Sequence, residues 1–179
     1  DGGVTVHTTA MGDECFDRVV FACHSDQALA LLGDAASAAE KSVLGALPYQ
    51  ENDVVLHTDT RVLPQNRKTW SSWNHWLSAT PGERVQLTYN MNILQGITAP
   101  ETFCVTLNQS AQIDPRKVLG RYTYHHPVFS LAGVKAQARF DEIDGVDRLH
   151  FCGAYWRNGF HEDGVWSALR VAEKFAEAL

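Results

Sequence analysis

Phe151-Cys152-Gly153-Ala154-Tyr155-Trp156-Arg157-Asn158-Gly159-Phe160-His161-Glu162-Asp163-Gly164-Val165 is the stretch on which the fold turns. Leu149-His150-Phe151-Cys152-Gly153 reads as a strand covered on both faces. A polar loop with Gly159 follows, and Asp163 to Leu179 reads as an amphipathic helix with Val165, Ala168, Leu169, Ala172, Phe175, Ala176 and Leu179 on one stripe. Such a strand-loop-helix corner places free backbone N–H groups and the positive end of a helix dipole at the mouth of a sheet, where anionic or electron-rich ligands bind. Gly164 would let a flat ring approach the backbone there. The plain reading stands beside this one: many such corners bind nothing, and Glu162 and Asp163 then act only as favourable first-turn charges.

Upstream, Arg18 to Cys23 is a second covered-strand run, preceded by the alternating, half-buried pattern of Val4 to Thr8. Ser25 is placed to cap a helix from Asp26 to about Gly33, and Ala35 to Leu47 reads as a second helix stopped by Pro48. The texture then changes. Val54 to His57, Thr69 to Leu77, Val85 to Tyr89 and Thr102 to Leu107 are short β-rich runs punctuated by Pro64, Pro81-Gly82, Gly96 and Pro100. One more β run, Val118 to His125, leads to an Ala-rich helical stretch over 130–139 and a turn at Asp144-Gly145. The fold class expected is α/β with an inserted antiparallel sheet, an α+β substrate-facing lobe, in three segments: 1–47, 48–126 and 127–179.

The chain has 179 residues, 45% hydrophobic and 20% charged, which suits a globular core. A net charge of −6 argues against nucleic acid, whose phosphates need clustered Lys and Arg. No apolar run reaches the roughly 18 to 20 residues that cross a bilayer, and Asp1-Gly2-Gly3 lacks a basic-apolar leader, so a cytoplasmic protein is expected. Cys15, Cys23, Cys104 and Cys152 form no CxxC pair and read as reduced core thiols. His125 and His126 point to opposite faces of a strand, and no HExxH spacing exists, so no metal is expected. His24-Ser25 lacks a GxSxG elbow. Trp70, Trp73, His75 and Trp76 crowd one run; they read as core, or as a wall of an apolar substrate cavity.

The closing stretch, Phe151 to Tyr155 followed by Gly159 to Val165 and the Ala-rich helix, resembles the C-terminal flavin-binding motif of the flavin-containing amine oxidases, phytoene-desaturase-like enzymes and bacterial NAD/FAD-binding proteins related to them. The resemblance extends through Phe16 to Ser25, Trp70 to Asn74 and Tyr89 to Asn92. It implies a partial FAD/NAD(P)-binding fold in which Gly153, Ala154, Tyr155, Phe160, Asp163, Gly164 and Val165 shape the flavin site. Gly153 would pack beside the flavin, the Asp163-Gly164-Val165 amides would face its pyrimidine edge, and the helix dipole would favour negative charge on the reduced ring. Trp73, Asn74 and Phe160 are the implied substrate-pocket residues.

Departures from the family pattern are specific. There is no GxGxxG, so the implied dinucleotide half of the site lies outside this sequence, and weak or absent FAD binding and no turnover by these residues alone are expected. Lys68 does not match the family's flavin-side lysine, and Phe160 lacks the hydroxyl of the usual Tyr. No acid or base catalyst is assigned. The resemblance implies the C-terminal portion of a FAD-dependent oxidoreductase that takes a hydride from a small apolar or amine substrate to flavin N5. The competing reading is a non-catalytic α+β module that binds an apolar ligand or a protein partner. A homodimer through surface left by the missing half is a further expectation.

Overall fold

Val19–Phe21 and Leu149–Phe151 lie side by side in parallel although they come from opposite ends of the chain. The computed structural model describes residues 2–77 and 84–176, so Pro81, Gly82 and Leu179 lie outside the described residues. In chain order the strands and helices are β1 (Val4–Thr8), β2 (Gly12–Phe16), β3 (Val19–Phe21), α1 (Ser25–Leu32), α2 (Ala38–Leu44), β4 (Tyr49–His57), β5 (Trp73–Trp76), β6 (Gln86–Asn90), α3 (Met91–Gln95), β7 (Cys104–Leu107), β8 (Val118–Pro127), α4 (Leu131–Gln137), β9 (Leu149–Phe151) and α5 (His161–Ala176). They divide into two compact units, Asp1–Gln50 with Pro127–Leu179, and Glu51–His126.

In the first unit β1 and β2 form an antiparallel hairpin from Val4↔Phe16 to Thr8↔Gly12, and β3 pairs with β9 from Val19↔Leu149 to Phe21↔Phe151. The core gathers Ala28, Val43, Leu44, Phe140, Ile143, Phe151, Tyr155, Trp156 and Val171. Phe21 stacks on Phe151 at 5.2 Å, and Phe140 meets Trp156 edge-on at 4.9 Å.

Several expectations are corrected in this unit. Ser25 is not the cap of α1: His24 is, and the Ser25 hydroxyl, fully buried, donates to Leu47 O at 2.7 Å. The second helix is shorter than 35–47, because Ser37 and Glu40 form a capping box that starts it at Ala38. Cys15 is exposed on β2 rather than in the core. Finally, β3 is not covered on both faces, since Val20 is 43% exposed.

The face of α5 differs from the expected stripe over its first three turns, although Phe175 of that stripe packs on the core. Val165, Ala168, Leu169 and Ala172 are exposed, whereas Asp163, Ser167 and Val171 are buried. The polar residues on the inward side all have partners: Arg170 sits 4.0 Å over the Phe140 ring, and the Lys174 ammonium donates to Asp141 at 3.0 Å and pairs with the Asp144 carboxylate at 3.0 Å. The packed face thus combines these satisfied polar groups with Trp166, Val171 and Phe175 of the core.

The second unit is a five-stranded sheet in the order β5-β6-β7-β4-β8, antiparallel where β5 meets β6, β6 meets β7 and β7 meets β4. One buried row across it is polar. The hydroxyls of Thr88 and Thr106 share a hydrogen bond at 2.9 Å, and His57 Nε2 lies 2.7 Å from the Thr106 hydroxyl. The Asp59 amide donates to His57 Nδ1 at 3.0 Å, which assigns a neutral ring with its proton on Nε2. Burial pushes the His57 imidazole down to about 4, against the opposing pull of Asp59. Asp59 is itself buried, accepts from the Arg61 guanidinium and from the Asp114 amide at 2.9 Å, and is held below the usual carboxylate range mainly by Arg61.

Because the folded His57 titrates below its ordinary 6.5, its contribution to stability is complete above about pH 6.5 and is lost as pH falls through about 4. The melting temperature is therefore expected to fall across that window in thermal denaturation followed by circular dichroism. His57→Gln is expected to flatten the fall, and an unchanged slope would show that His57 is not the titrating group.

Candidate functional site

The corner between β9 and α5 is built by backbone groups that find fixed partners. The Cys152 amide continues the sheet by donating to Phe21 O at 2.9 Å. The next amide, of Gly153, turns to the Ser167 hydroxyl at 2.8 Å, and that hydroxyl donates to Gly164 O at 2.8 Å. Ser167 thus clamps the strand end to the first turn of the helix. The loop between them closes on itself: Gly159 N donates to Ala154 O at 3.1 Å, and the Gln137 amide donates to Tyr155 O at 2.8 Å and Arg157 O at 2.7 Å. Gly159 stands at φ +87°, a conformation that side chains rarely adopt.

Asp163 is 5% exposed and serves the loop. Its carboxylate accepts from Asn158 N at 3.2 Å and Phe160 N at 3.0 Å, with Arg157 Nε at 3.7 Å. The amides of Asp163 and Gly164 both donate to Phe160 O, at 3.0 and 3.2 Å. These two amides, expected to face a ligand, are therefore spent within the chain, and what the helix start offers is its dipole.

The seven candidate flavin-site residues all lie at this corner but in two layers. Tyr155 is 1% exposed; burial pushes its phenol up, and its hydroxyl has no hydrogen-bond partner. With Asp163 it forms the inner layer. Gly153, Ala154 and Gly164 are half-buried, and Phe160 and Val165 are exposed, which makes them the accessible rim. The two outer glycines differ in cause. A Cβ on Gly153 would collide with the Tyr155 ring, so packing within the chain accounts for that glycine. A Cβ on Gly164 would meet nothing closer than Ala154 N at 3.9 Å, so nothing in the chain requires a glycine there.

A glycine that no clash within the described residues requires is the observation against which FAD can be tested. A planar ring needs an approach free of long side chains and flanked by apolar groups; at the start of α5 Gly164 carries no side chain and the exposed Phe160 and Val165 are close to it in sequence. These residues fit the flavin end of the cofactor. The chain has no phosphate-binding GxGxxG for the other end.

In the other unit Trp73 and Asn74 point to opposite faces of β5. Trp73 is 50% exposed and meets Tyr89 edge-on at 5.1 Å. Asn74 is buried and spent on structure: its amide donates to Ser71 O at 2.7 Å and Thr88 O at 3.2 Å, and its oxygen accepts from Ser71 N at 3.1 Å. The indole N–H groups of Trp70 and Trp76 donate to Pro64 O and Val62 O, so these two rings brace the unit. His126 Nδ1 lies 2.9 Å from the Asn52 amide, and His125 lies 3.9 Å from Glu51. Among the described residues no cluster of three or more His, Cys, Asp or Glu could hold a metal ion, and no helix is long and apolar enough to cross a membrane. Ser167 and Gln137, which hold the corner in shape, escaped sequence reading. The Ser167 signal was its place one helical turn after Gly164.

No protein-family profile matches the chain, and no curated protein matches it. Among solved structures it is similar to the candidate protoporphyrinogen oxidase of Exiguobacterium sp. 255-15, with a TM-score of 0.59 and 14% identity over 100% of this chain and 45% of that one. The chain therefore spans less than half the length of that protein, and the two share a fold.

The two glycines should respond oppositely to a methyl group. Gly153→Ala is expected to lower stability by roughly 1–3 kcal/mol through overpacking. Gly164→Ala should leave stability unchanged or raise it by up to about 1 kcal/mol through helix propensity. Chemical denaturation midpoints check both, and a destabilising Gly164→Ala would show that the chain itself needs the glycine at 164.

Proposed function

We propose that the chain is the flavin-side portion of a FAD-dependent oxidoreductase acting on a small apolar or amine substrate. The glycine at 164, which no clash within the described residues requires, standing at the dipole end of α5, is the observation that carries this reading. The shared fold with a candidate oxidase supports it. Bound FAD would supply the electron sink, accepting a hydride at N5 from a C–H bond of the substrate. The residues named here position and desolvate. Phe160 and Val165 would present apolar surface to the ring and keep water from the reacting side. The first turn of α5 would stabilise negative charge gathered on the pyrimidine edge, and Asp163 would hold that turn to the loop that carries Phe160. Ser167 keeps Gly153 and Gly164 at fixed separation, so the approach is preorganised.

The proposal assigns the ADP end of the cofactor to polypeptide outside these residues, because most of its binding groups are absent here. Absorbance in the visible flavin band, after addition of FAD and removal of excess, is expected to be weak for the chain alone and strong for the protein as its native cells make it. In the native protein Gly164→Leu is expected to lower flavin occupancy at least about tenfold, a loss of about 1.4 kcal/mol, without lowering the melting temperature. Full occupancy in that variant would remove Gly164 from the site, and no flavin in either protein would overturn the assignment.

A further inference from the structure

The face of the antiparallel sheet that buries His57, Thr88 and Thr106 ends in a polar cavity. Asp53 on β4 and Gln86 on β6 stand two residues before Val55 and Thr88, hence on that same face. With Arg84, Gln109 and the turn Ser110–Gln112 they line a space of about 470 Å³, within the roughly 300–1,000 Å³ of small-molecule sites. Among the described residues that line it, Ala111 alone is apolar. Asn108 fixes the rim. It stands at φ +59°, in the left-handed region that asparagine tolerates better than most residues with a side chain. Its carboxamide accepts from Asp53 N at 3.1 Å and donates to Asn52 Oδ1 and Val85 O, both at 2.8 Å. These bonds hold β4, the start of β6 and the end of β7 together beside the cavity.

Two features of the cavity select its ligand. Gln109 is 4% exposed; its Nε2 donates to Gln86 Oε1 at 3.0 Å, and its Oε1 has no hydrogen-bond partner among the described residues. Turning both carboxamides over leaves Gln109 Nε2 unpartnered instead, so either orientation keeps one buried polar atom unsatisfied at a cost in stability. A hydroxyl serves both orientations, because it donates and accepts. The second feature is charge. Asp53 and Arg84 are opposite in sign, and neither is in an ion pair among the described residues. An anion that only accepts would face Asp53, and a cation that only donates would face Arg84. A neutral molecule dense in hydroxyls meets the carboxamides, Ser110 and both ions without a mismatch. We propose that this cavity binds a neutral polyhydroxylated molecule of monosaccharide size. Gln109 and Asp53 accept from its hydroxyls, and Arg84 and the Gln86 amide donate to them.

Saturation-transfer difference NMR on the protein as its native cells make it, with D-glucose and myo-inositol as probes, tests the assignment. Ring-proton signals are expected from at least one probe. Gln109→Leu should weaken them at least about fivefold, the worth of one hydrogen bond, and Arg84→Gln, at an exposed residue, should do the same. Gln109→Leu also removes the buried unpartnered atom, so its melting temperature is expected to stay level or rise, as for a residue kept for binding rather than stability. Gly164→Leu should leave the probe signals unchanged, so this site and the flavin reading fail separately. No signal from either probe would overturn the proposal, as would full-strength signals in either cavity variant or their loss in Gly164→Leu. A fall in the melting temperature of Gln109→Leu would do so too, because it returns the carboxamide to a packing role. A signal from glycine that Gln109→Leu removes, with none from the polyols, would give the cavity to a zwitterion and likewise overturn the proposal.

Discussion

The parallel pairing of β3 with β9 is the constraint from which the rest of the structure follows. It joins Val19–Phe21 to Leu149–Phe151, so the polypeptide between them must leave and return. Parallel strands need a crossover, and this one is long enough to contain a complete antiparallel sheet. Asp144 secures the return: its carboxylate accepts from the Phe151 amide at 2.9 Å, lies 3.3 Å from His150 Nδ1, and pairs with Lys174 of α5. One fully buried carboxylate therefore holds the last strand and the last helix together, with Arg18 approaching His150 from the β3 side at 3.3 Å.

Because the pairing ends at Phe21 and Phe151, the chain leaving β9 has no further strand partner beyond the Cys152 amide. Ser167, Asp163 and Gln137 then satisfy the backbone of the loop, and the start of α5 comes to rest beside the end of β9. The result is a rigid corner in which a Cβ at 164 would touch Ala154 N without clash, so that packing alone does not call for the glycine. Rigidity and a flat approach are what a cofactor site requires of its scaffold, since the hard chemistry belongs to the cofactor.

Much of this was legible from residue types. The apolar runs gave β3 and β9, and Asp144-Gly145 marked a turn that has Gly145 at φ +85°. β2 left no signal, because Gly12 to Phe16 is exposed throughout and carries no apolar alternation. The apolar period located α5 but not the packed face of its first three turns, since Arg170 and Lys174 find their partners Phe140, Asp141 and Asp144 far upstream in the sequence. Ser25 sat at a capping position and was drawn instead to Leu47 O across the core. At the site, the run Gly153 to Val165 was visible as a block, but its two layers were not. Whether Tyr155 or Phe160 meets solvent depends on a loop closed by Gln137 and Gly159, which no local pattern reports.

The most direct test of the account is covalent labelling of the native protein with a photoreactive azido-flavin analogue of FAD, with the modified residues mapped by mass spectrometry. The account predicts labels between Gly153 and Val165, foremost on Phe160 and Val165 of the accessible rim. Labelling confined to residues outside that corner, with the corner unmodified at full occupancy, would contradict it.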